Sequence, residues 1–181
     1  MTAFIALLRA VNVGGTGIIR MAALKEICAG LGFKDVTTLL QSGNVVFTAR
    51  GRDTSVAERL VGAIDASHGF RPAIAIRTAA ELADVIARNP FRAEATGDPG
   101  HLLVAFMTAA PKPGAAERVA SIKVAKERLH LSGRELFIHY ATGVGTSKVT
   151  NVVLEKALGV PATARNWNTV TRLAAIAASL G

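Results

Sequence analysis

The chain has 181 residues, half of them apolar, a formal net charge of +8 and a single cysteine. This length suffices for one domain, or for two small domains sharing a core, without disulfides or a metal to stabilise them. One cysteine, and no apolar run near ~20 residues, exclude secreted disulfide-stabilised and membrane-spanning proteins, so we expect a cytoplasmic protein with no membrane partner.

Strand and helix patterns alternate along the first eighty residues. In chain order they predict a strand at 3–11, a helix carrying Leu24, Ile27, Cys28 and Leu31 on one side, strands at 36–41 and 44–49, a helix opening at Ser55, and a strand at 73–77. Ser55 and Glu58 have the spacing of a capping box, which predicts the start of the second helix. This β-α-β-β-α-β order predicts a ferredoxin-like layer over residues 1–78.

The remaining residues, 79–181, predict a second and smaller α+β half. Its elements are a helix after a capping box at Thr78 and Glu81, strands at 101–107, 127–131 and 134–140, a helix between the first two of these strands, a hairpin turn at Ser132-Gly133, and final helices beginning near Ser147 and Asn168. Both faces of the first strand are apolar, so a second layer must cover the sheet. We expect the two halves to pack together as one fused α+β unit. The alternative is that a homodimer partner covers the second face of the sheet.

The charge balance favours an anionic partner. The sequence pI is about 10.4, and Lys or Arg side chains that neutralise phosphates release counterions, which strengthens binding to nucleic acid. The alternative is that the charge only keeps the protein soluble. No long Lys/Arg block or low-complexity basic tract decides between the two.

Polar and cationic residues gather at one edge of the predicted first layer. In this topology the first strand ends at the same edge as the turn between the second and third strands. The glycine-rich loop 12–17 can direct backbone N–H groups at an anion ahead of a helix. The predicted anion site comprises Arg9, Asn12, Gly14, Gly15, Arg20, Ser42 and Asn44. Alternatively, the glycines are ordinary turns and the amides only satisfy loop backbone.

Two further cations extend this candidate anion site. Lys148 follows a glycine and hydroxyl loop, and we expect it in the first turn of a helix, where a cation is unfavourable unless an anion neutralises it. Arg165 lies near Trp167, and the pair could hold an anion while stacking on a ring. The alternatives are a solvated Lys148 beside an ordinary N-cap, and a Trp167 that anchors the last helix in the core.

No residues have the spacing of a metal site or of a nucleophile with its base. With a turn at Ser132-Gly133, His130 and His139 lie about four residues apart along the hairpin, roughly 13 Å, which is too far for two zinc ligands. We expect a solvated face carrying Arg128, His130, Glu135 and His139. The sequence predicts no metal and no cofactor, and it leaves open whether the protein is an enzyme.

Aromatic residues are too few for an RNA-recognition sheet, which needs exposed rings on its central strands. Phe47 shares its strand face with Val45, so we expect its ring to be buried. Cys28 belongs to the apolar stripe of the first helix and is expected to fill the core rather than to react.

Several ordered motifs carry a resemblance to a known family. They are Leu7-Leu8-Arg9-Ala10-Val11-Asn12-Val13-Gly14-Gly15, Met21, Gln41-Ser42-Gly43-Asn44-Val45-Val46-Phe47, Asn89-Pro90-Phe91 and Thr163-Ala164-Arg165-Asn166-Trp167-Asn168-Thr169. Together they resemble the bacterial family called domain of unknown function 1697, over nearly the whole chain. Ala10 stands where that family often has Gly. The resemblance implies a cytosolic α+β protein with a ferredoxin-like part, and it transfers no activity.

The leading hypothesis is a protein that binds an anionic or phosphorylated partner, either nucleic acid or a metabolite, at the polar edge. An enzyme acting there on a phosphorylated small molecule is the first alternative, although no base, nucleophile or metal cluster stands out. A structural or protein-interaction module is the second.

Overall fold

Two four-stranded antiparallel sheets organise the chain, each with the strand order of a ferredoxin-like layer. The structure is a computed structural model that describes residues 1–180. The first sheet consists of β1 (Thr2–Leu8), β2 (Lys34–Leu39), β3 (Asn44–Ala49) and β4 (Ile74–Thr78), in the order β2-β3-β1-β4. The second consists of β5 (Leu102–Met107), β6 (Glu127–Ser132), β7 (Glu135–Tyr140) and β8 (Ala162–Asn166), in the order β6-β7-β5-β8.

Seven α-helices lie within residues 1–180. They are α1 (Met21–Gly30), α2 (Asp53–His68), α3 (Ala79–Ala87), α4 (Arg92–Gly97), α5 (Ala115–Ala120), α6 (Asn151–Leu158) and α7 (Trp167–Ala178). None of these helices combines the length and the hydrophobicity needed to cross a bilayer. The predicted α+β class and its ferredoxin-like first half are confirmed, and the β-α-β-β-α-β pattern occurs a second time in β5 to β8.

The chain divides into two compact units. The first comprises Met1–Asp84 together with the described residues from Arg172 onward, and the second comprises Val85–Thr171. The predicted domain limits 1–78 and 79–181, and the packing of the halves as one fused unit, remain predictions.

The central strand β1 of the first sheet is buried on both of its faces. On one face Phe4, Ala6 and Leu8 of β1 join apolar residues of α1 and α2 in a core. On the opposite face Ile5 and Leu7 are fully buried as well. A strand covered on both sides has no polar face, which explains why β1 is a continuous apolar run in the sequence.

The second layer contains a strand that the sequence patterns did not predict. β8 pairs antiparallel with β5 and completes the second sheet. Its sequence, Ala-Thr-Ala-Arg-Asn, is short, with few β-branched residues. Such a segment carries little intrinsic strand preference, so only its pairing with β5 makes it a strand.

The pairing between β6 and β7 is shifted by two residues from the predicted register. Ser132 pairs with Glu135, so Gly133 and Arg134 form the turn, and His139 pairs with Arg128 rather than with Lys126. The Gly133 backbone has a φ of +60°, which suits the first central position of a two-residue hairpin turn.

A buried arginine occupies the matching position in the last strand of each layer. Arg77 precedes the final residue of β4 and Arg165 precedes the final residue of β8; both are buried. In each case the guanidinium donates to the carbonyl of the preceding residue, Ile76 at 2.7 Å and Ala164 at 2.9 Å. The two layers therefore share this contact as well as their strand order.

Only one of the two predicted capping boxes forms. At the start of α3, the Thr78 N–H donates to the Glu81 carboxylate at 2.8 Å and the Glu81 N–H donates to the Thr78 hydroxyl at 3.2 Å. The other prediction, at Ser55, is wrong because α2 already begins at Asp53, which places Ser55 inside the first helical turn.

These two hydroxyl residues therefore differ in their expected effect on stability. Thr78→Ala removes a helix cap and should lower the free energy of unfolding by about 1 kcal/mol. Ser55→Ala, the matched control, should change it by less than about 0.5 kcal/mol. Urea unfolding followed by circular dichroism measures both values, and equal effects of the two substitutions would contradict the assigned cap.

Candidate functional site

Two loops meet at the end of the first sheet where β1 stops. The side-chain amide of Asn12 donates to the carbonyls of Ile19 at 2.9 Å and of Gln41 at 2.7 Å. Its oxygen accepts the Ile19 N–H at 2.9 Å. One side chain thus closes the β1–α1 loop and ties it to the β2–β3 turn. The two segments adjoin as the topology predicts, and we call residues 9–20 and 40–43 together the loop junction.

Gly43 allows these loops to come this close. Its φ is +79°, and a Cβ atom placed there would lie 2.4 Å from Val11 Cγ2 and 2.9 Å from Leu8 Cβ. The Leu8 N–H also donates to the Gly43 carbonyl at 2.8 Å. Since Leu8 and Val11 are buried, the base of the junction is aliphatic, and its polar groups lie outside that base.

Gly14 and Gly15 form a small protruding hairpin. Both have positive φ, +64° and +77°, as the central residues of a type I′ turn do. The Asn12 N–H donates to the Gly17 carbonyl at 3.1 Å and closes the hairpin. Ala10 also has a positive φ, +54°, a conformation that costs glycine little and alanine more. The surrounding contacts therefore keep Ala10 in this unfavourable backbone conformation.

Cationic groups surround the junction at the start of α1. Arg20 is the exposed N-cap residue of α1, which has no side-chain cap and no acidic residue in its first turn. Arg9 is half-buried at the end of β1. Residues 9–20 and 40–43 contain no Asp or Glu. The helix N-terminus and the exposed Arg20 guanidinium therefore favour negative charge at this edge.

The predicted site residues Ser42 and Asn44 have different surroundings. Asn44 is fully buried, and its amide donates to the Leu39 carbonyl at 2.7 Å and to the Ser42 hydroxyl at 3.0 Å. Asn44 therefore stabilises the β2–β3 turn through buried hydrogen bonds. Ser42 is exposed at the junction.

Lys148 and Arg165, the other two predicted site residues, belong to the second unit. Lys148 is exposed, but α6 begins at Asn151 behind the cap Thr150. The prediction that Lys148 stands in a helical first turn is wrong, and the helix dipole gives no reason for an anion there. Arg165 is buried, and burial lowers the pKa of its guanidinium to about 10.

The segment that carries Lys148 is fixed by a buried carboxylate. The Ser147 hydroxyl and the Ala125 N–H donate to Glu127, and the Ser147 oxygen accepts the Val149 N–H at 3.0 Å. These donors, the hydroxyl first among them, lower the pKa of Glu127 to about 2. Glu127 therefore anchors the loop after β7 to the start of β6.

A hydrogen-bonded cluster covers part of the face that was expected to be solvated. Arg128 and His130 are exposed as predicted, but Glu135 and His139 are buried, so the prediction is wrong for these two residues. Asp98 accepts from the imidazoles of His139 and His101, each at 2.9 Å. Beside it, Arg128 bonds Glu94 and lies 5.0 Å over the Phe91 ring. The i,i+3 spacing of Asp98 and His101 could have indicated their contact from the sequence. The contact between Asp98 and His139 could not have been found in this way, because 41 residues separate them.

The cluster also lowers the pKa values of its two carboxyl groups, those of Asp98 and Glu94. The His139 imidazole, and then that of His101, lowers the pKa of Asp98, while the Arg128 guanidinium lowers the pKa of Glu94. Both carboxylates are thereby held in the ionised form. The arrangement ties the segment containing α4 to the second sheet through charge-assisted hydrogen bonds.

Two further sequence predictions are confirmed. Phe47 is fully buried and stacks on Phe33 with ring centroids 4.4 Å apart. Cys28 lies in the same core, where burial raises the pKa of its thiol to about 12. Within residues 1–180, no group of three or more His, Cys, Asp or Glu side chains is arranged to hold a metal ion.

The low pKa of Glu127 predicts a pH-dependent contribution to stability. Because the folded-state value lies below the ordinary 4.5, this contribution is complete above about pH 4.5 and is lost as the pH falls toward 2. The difference in melting temperature between the wild type and Glu127→Gln should be constant from pH 7 to 5 and shrink below pH 4.5. Glu58→Gln, at an exposed helix position, is the control. A difference that persists unchanged to pH 2.5 would refute the anchoring role.

Comparison with known proteins agrees with the fold. Residues 1–137 match the model of the family described as protein of unknown function DUF1697. A solved structure, "The structure of conserved bacterial protein SP0830 from Streptococcus pneumoniae", is similar with a TM-score of 0.74 and 22% identity over 97% of this chain and 98% of that chain. No curated protein matches. Since the family model covers most of the sequence, the chain belongs to the DUF1697 family of proteins of unknown function.

Proposed function

We propose that the protein binds an anionic, phosphorylated partner, either a nucleic acid or a metabolite, at the loop junction. The observation that carries this proposal is the Asn12 bridge. It holds the two loops together, and Arg20 at the uncapped start of α1 directly follows Ile19, one of the residues that Asn12 bonds. A binding site that is already formed loses less conformational entropy when its ligand binds.

The charge pattern supports a phosphate group as the feature that is recognised. Arg20 can present a planar set of N–H donors, which suits bidentate bonds to phosphate oxygens. The N–H groups at the start of α1 supply neutral donors beside it. Arg71, just before β4, is paired with Asp65 at 2.8 Å and is not required for this proposal.

The junction is also partly apolar. Val13, Ile18 and Leu40 are large hydrophobic residues with more than half of their surface exposed, and all three belong to the loop junction. Such side chains can contact the sugar or base of a nucleotide while the cations hold its phosphate. This mixed character favours a nucleotide-containing partner over a simple inorganic anion.

The two alternative functions, an enzyme and a structural or protein-interaction module, predict different behaviour toward ligands at the loop junction. An enzyme acting on a phosphorylated small molecule would have to change its ligand chemically as well as bind it. A structural or protein-interaction module would bind neither a nucleic acid nor a phosphorylated metabolite. Measurements of binding and of ligand recovery therefore separate all three functions.

Arg20→Ala tests the proposal because Arg20 is exposed and outside the core. Binding of a labelled single-stranded oligonucleotide, followed by fluorescence anisotropy, should weaken several-fold. The slope of log K against log salt should fall by about 0.7, the value for one lost phosphate contact on a single strand. A thermal-shift series with phosphorylated metabolites covers the small-molecule case.

Arg52→Ala is the matched control. Arg52 is also exposed but follows the far end of β3, so the substitution removes the same charge away from the junction. Equal losses for the two variants, or no saturable binding of any phosphorylated compound by the wild type, would contradict the proposal.

A further inference from the structure

A second cationic surface lies at the opposite end of the first sheet. Thr2 pairs with Ala49 at this end, whereas Leu7 pairs with Asn44 near the loop junction. A cavity of about 310 Å³ opens here, lined in part by Phe33, Lys34, Ala49, Arg50 and Arg59. This volume is at the lower end of the range for small-molecule sites, roughly 300–1,000 Å³.

The charges around this cavity have one sign. Lys34, Arg50 and Arg59 line it, and none of its lining residues is acidic. Among the described residues, none of these three cations makes an ion pair. The neighbouring carboxylate of Asp35 accepts a hydrogen bond from the Thr48 hydroxyl at 2.9 Å. A concave surface lined by one sign of charge concentrates ions of the opposite sign.

Arg59 is held in position by the core. Its guanidinium carbon lies 5.0 Å from the centroid of the Phe33 ring, and its Nη2 donates to the Leu31 carbonyl at 2.5 Å. Phe33 is itself buried and stacked on Phe47. A guanidinium has five N–H donors, so this contact leaves others for a ligand. The Arg59 side chain is therefore more ordered than a solvated surface arginine.

Lys34 enters the cavity at an irregularity of β2. The register of the β2–β3 pair shifts between Lys34 and Thr37, and Asp35 within this bulge has a φ of +55°. Bulges re-aim the side chains of a strand and often occur beside functional sites. Here the bulge places a Lys in the cavity wall while the adjacent Asp bonds elsewhere.

We propose that this cavity binds a small phosphorylated organic molecule. Three uncompensated cations suit a ligand with two or more negative charges, which a phosphomonoester or diphosphate carries and a single carboxylate does not. The apolar wall formed by Leu31, Phe33 and Ala49 can contact the organic part. The site is separate from the loop junction, and its existence does not rest on the function proposed there.

Isothermal titration of the full-length protein with inorganic pyrophosphate tests this proposal. We expect saturable binding that Arg50→Ala weakens about tenfold, the cost of one charge-assisted contact. Lys34→Ala, a second exposed position, should weaken binding in the same direction. Thermal melts of both variants should match the wild type, because neither side chain is buried.

One control variant distinguishes binding in this cavity from binding elsewhere on the protein. Arg52→Ala removes the same charge two residues from Arg50 but outside the lining, and should change the affinity less than twofold. Absence of saturation, an affinity that Arg50→Ala leaves unchanged, or equal weakening by Arg50→Ala and Arg52→Ala would overturn the proposal.

Discussion

The hydrogen bonds of the Asn12 side chain are the contact on which the loop junction depends. They bind backbone atoms of Ile19 and Gln41 at once, so a single amide fixes two loops that are far apart in sequence. Asn12 has a φ of +56°, a left-handed conformation that Asn tolerates better than most residues. The close approach also needs Gly43, since any Cβ there would collide with Leu8 and Val11.

The first layer combines a rigid apolar sheet with positive charge at both ends. The loop junction lies where β1 ends, and the cationic cavity lies where it begins. The two are ~20 Å apart, from about six residue steps of strand. Both faces of β1 are buried, so its two ends are the parts of this strand that lie next to exposed residues. Arg20 supplies positive charge at one end of this layer and Arg50 at the other, although most of the net charge of +8 lies outside residues 1–84.

Local patterns in the sequence predicted the first layer well and the second layer partly. The apolar run of β1, the stripe of α1 and the Thr78–Glu81 capping box are each encoded within a few residues. Each of them forms, although β1 ends at Leu8 rather than at the predicted residue 11. β8 was missed because pairing with β5, rather than its own composition, makes it a strand. Topology alone placed Asn12 beside Gln41. The cluster around Asp98, in contrast, depends on contacts to α4 and to residues some forty positions away, and short-range spacing cannot reveal such contacts.

Backbone amide chemical shifts of the isotope-labelled protein, recorded during a titration with a phosphorylated nucleotide, test the central claim most directly. We expect the amide signals of residues 13–22 and 41–43 to shift together along one saturation curve. The amide signals of the residues that line the cationic cavity should follow a second curve. Small shifts scattered over the whole surface, or a saturating response that leaves both loops of the junction unperturbed, would contradict the proposed binding site.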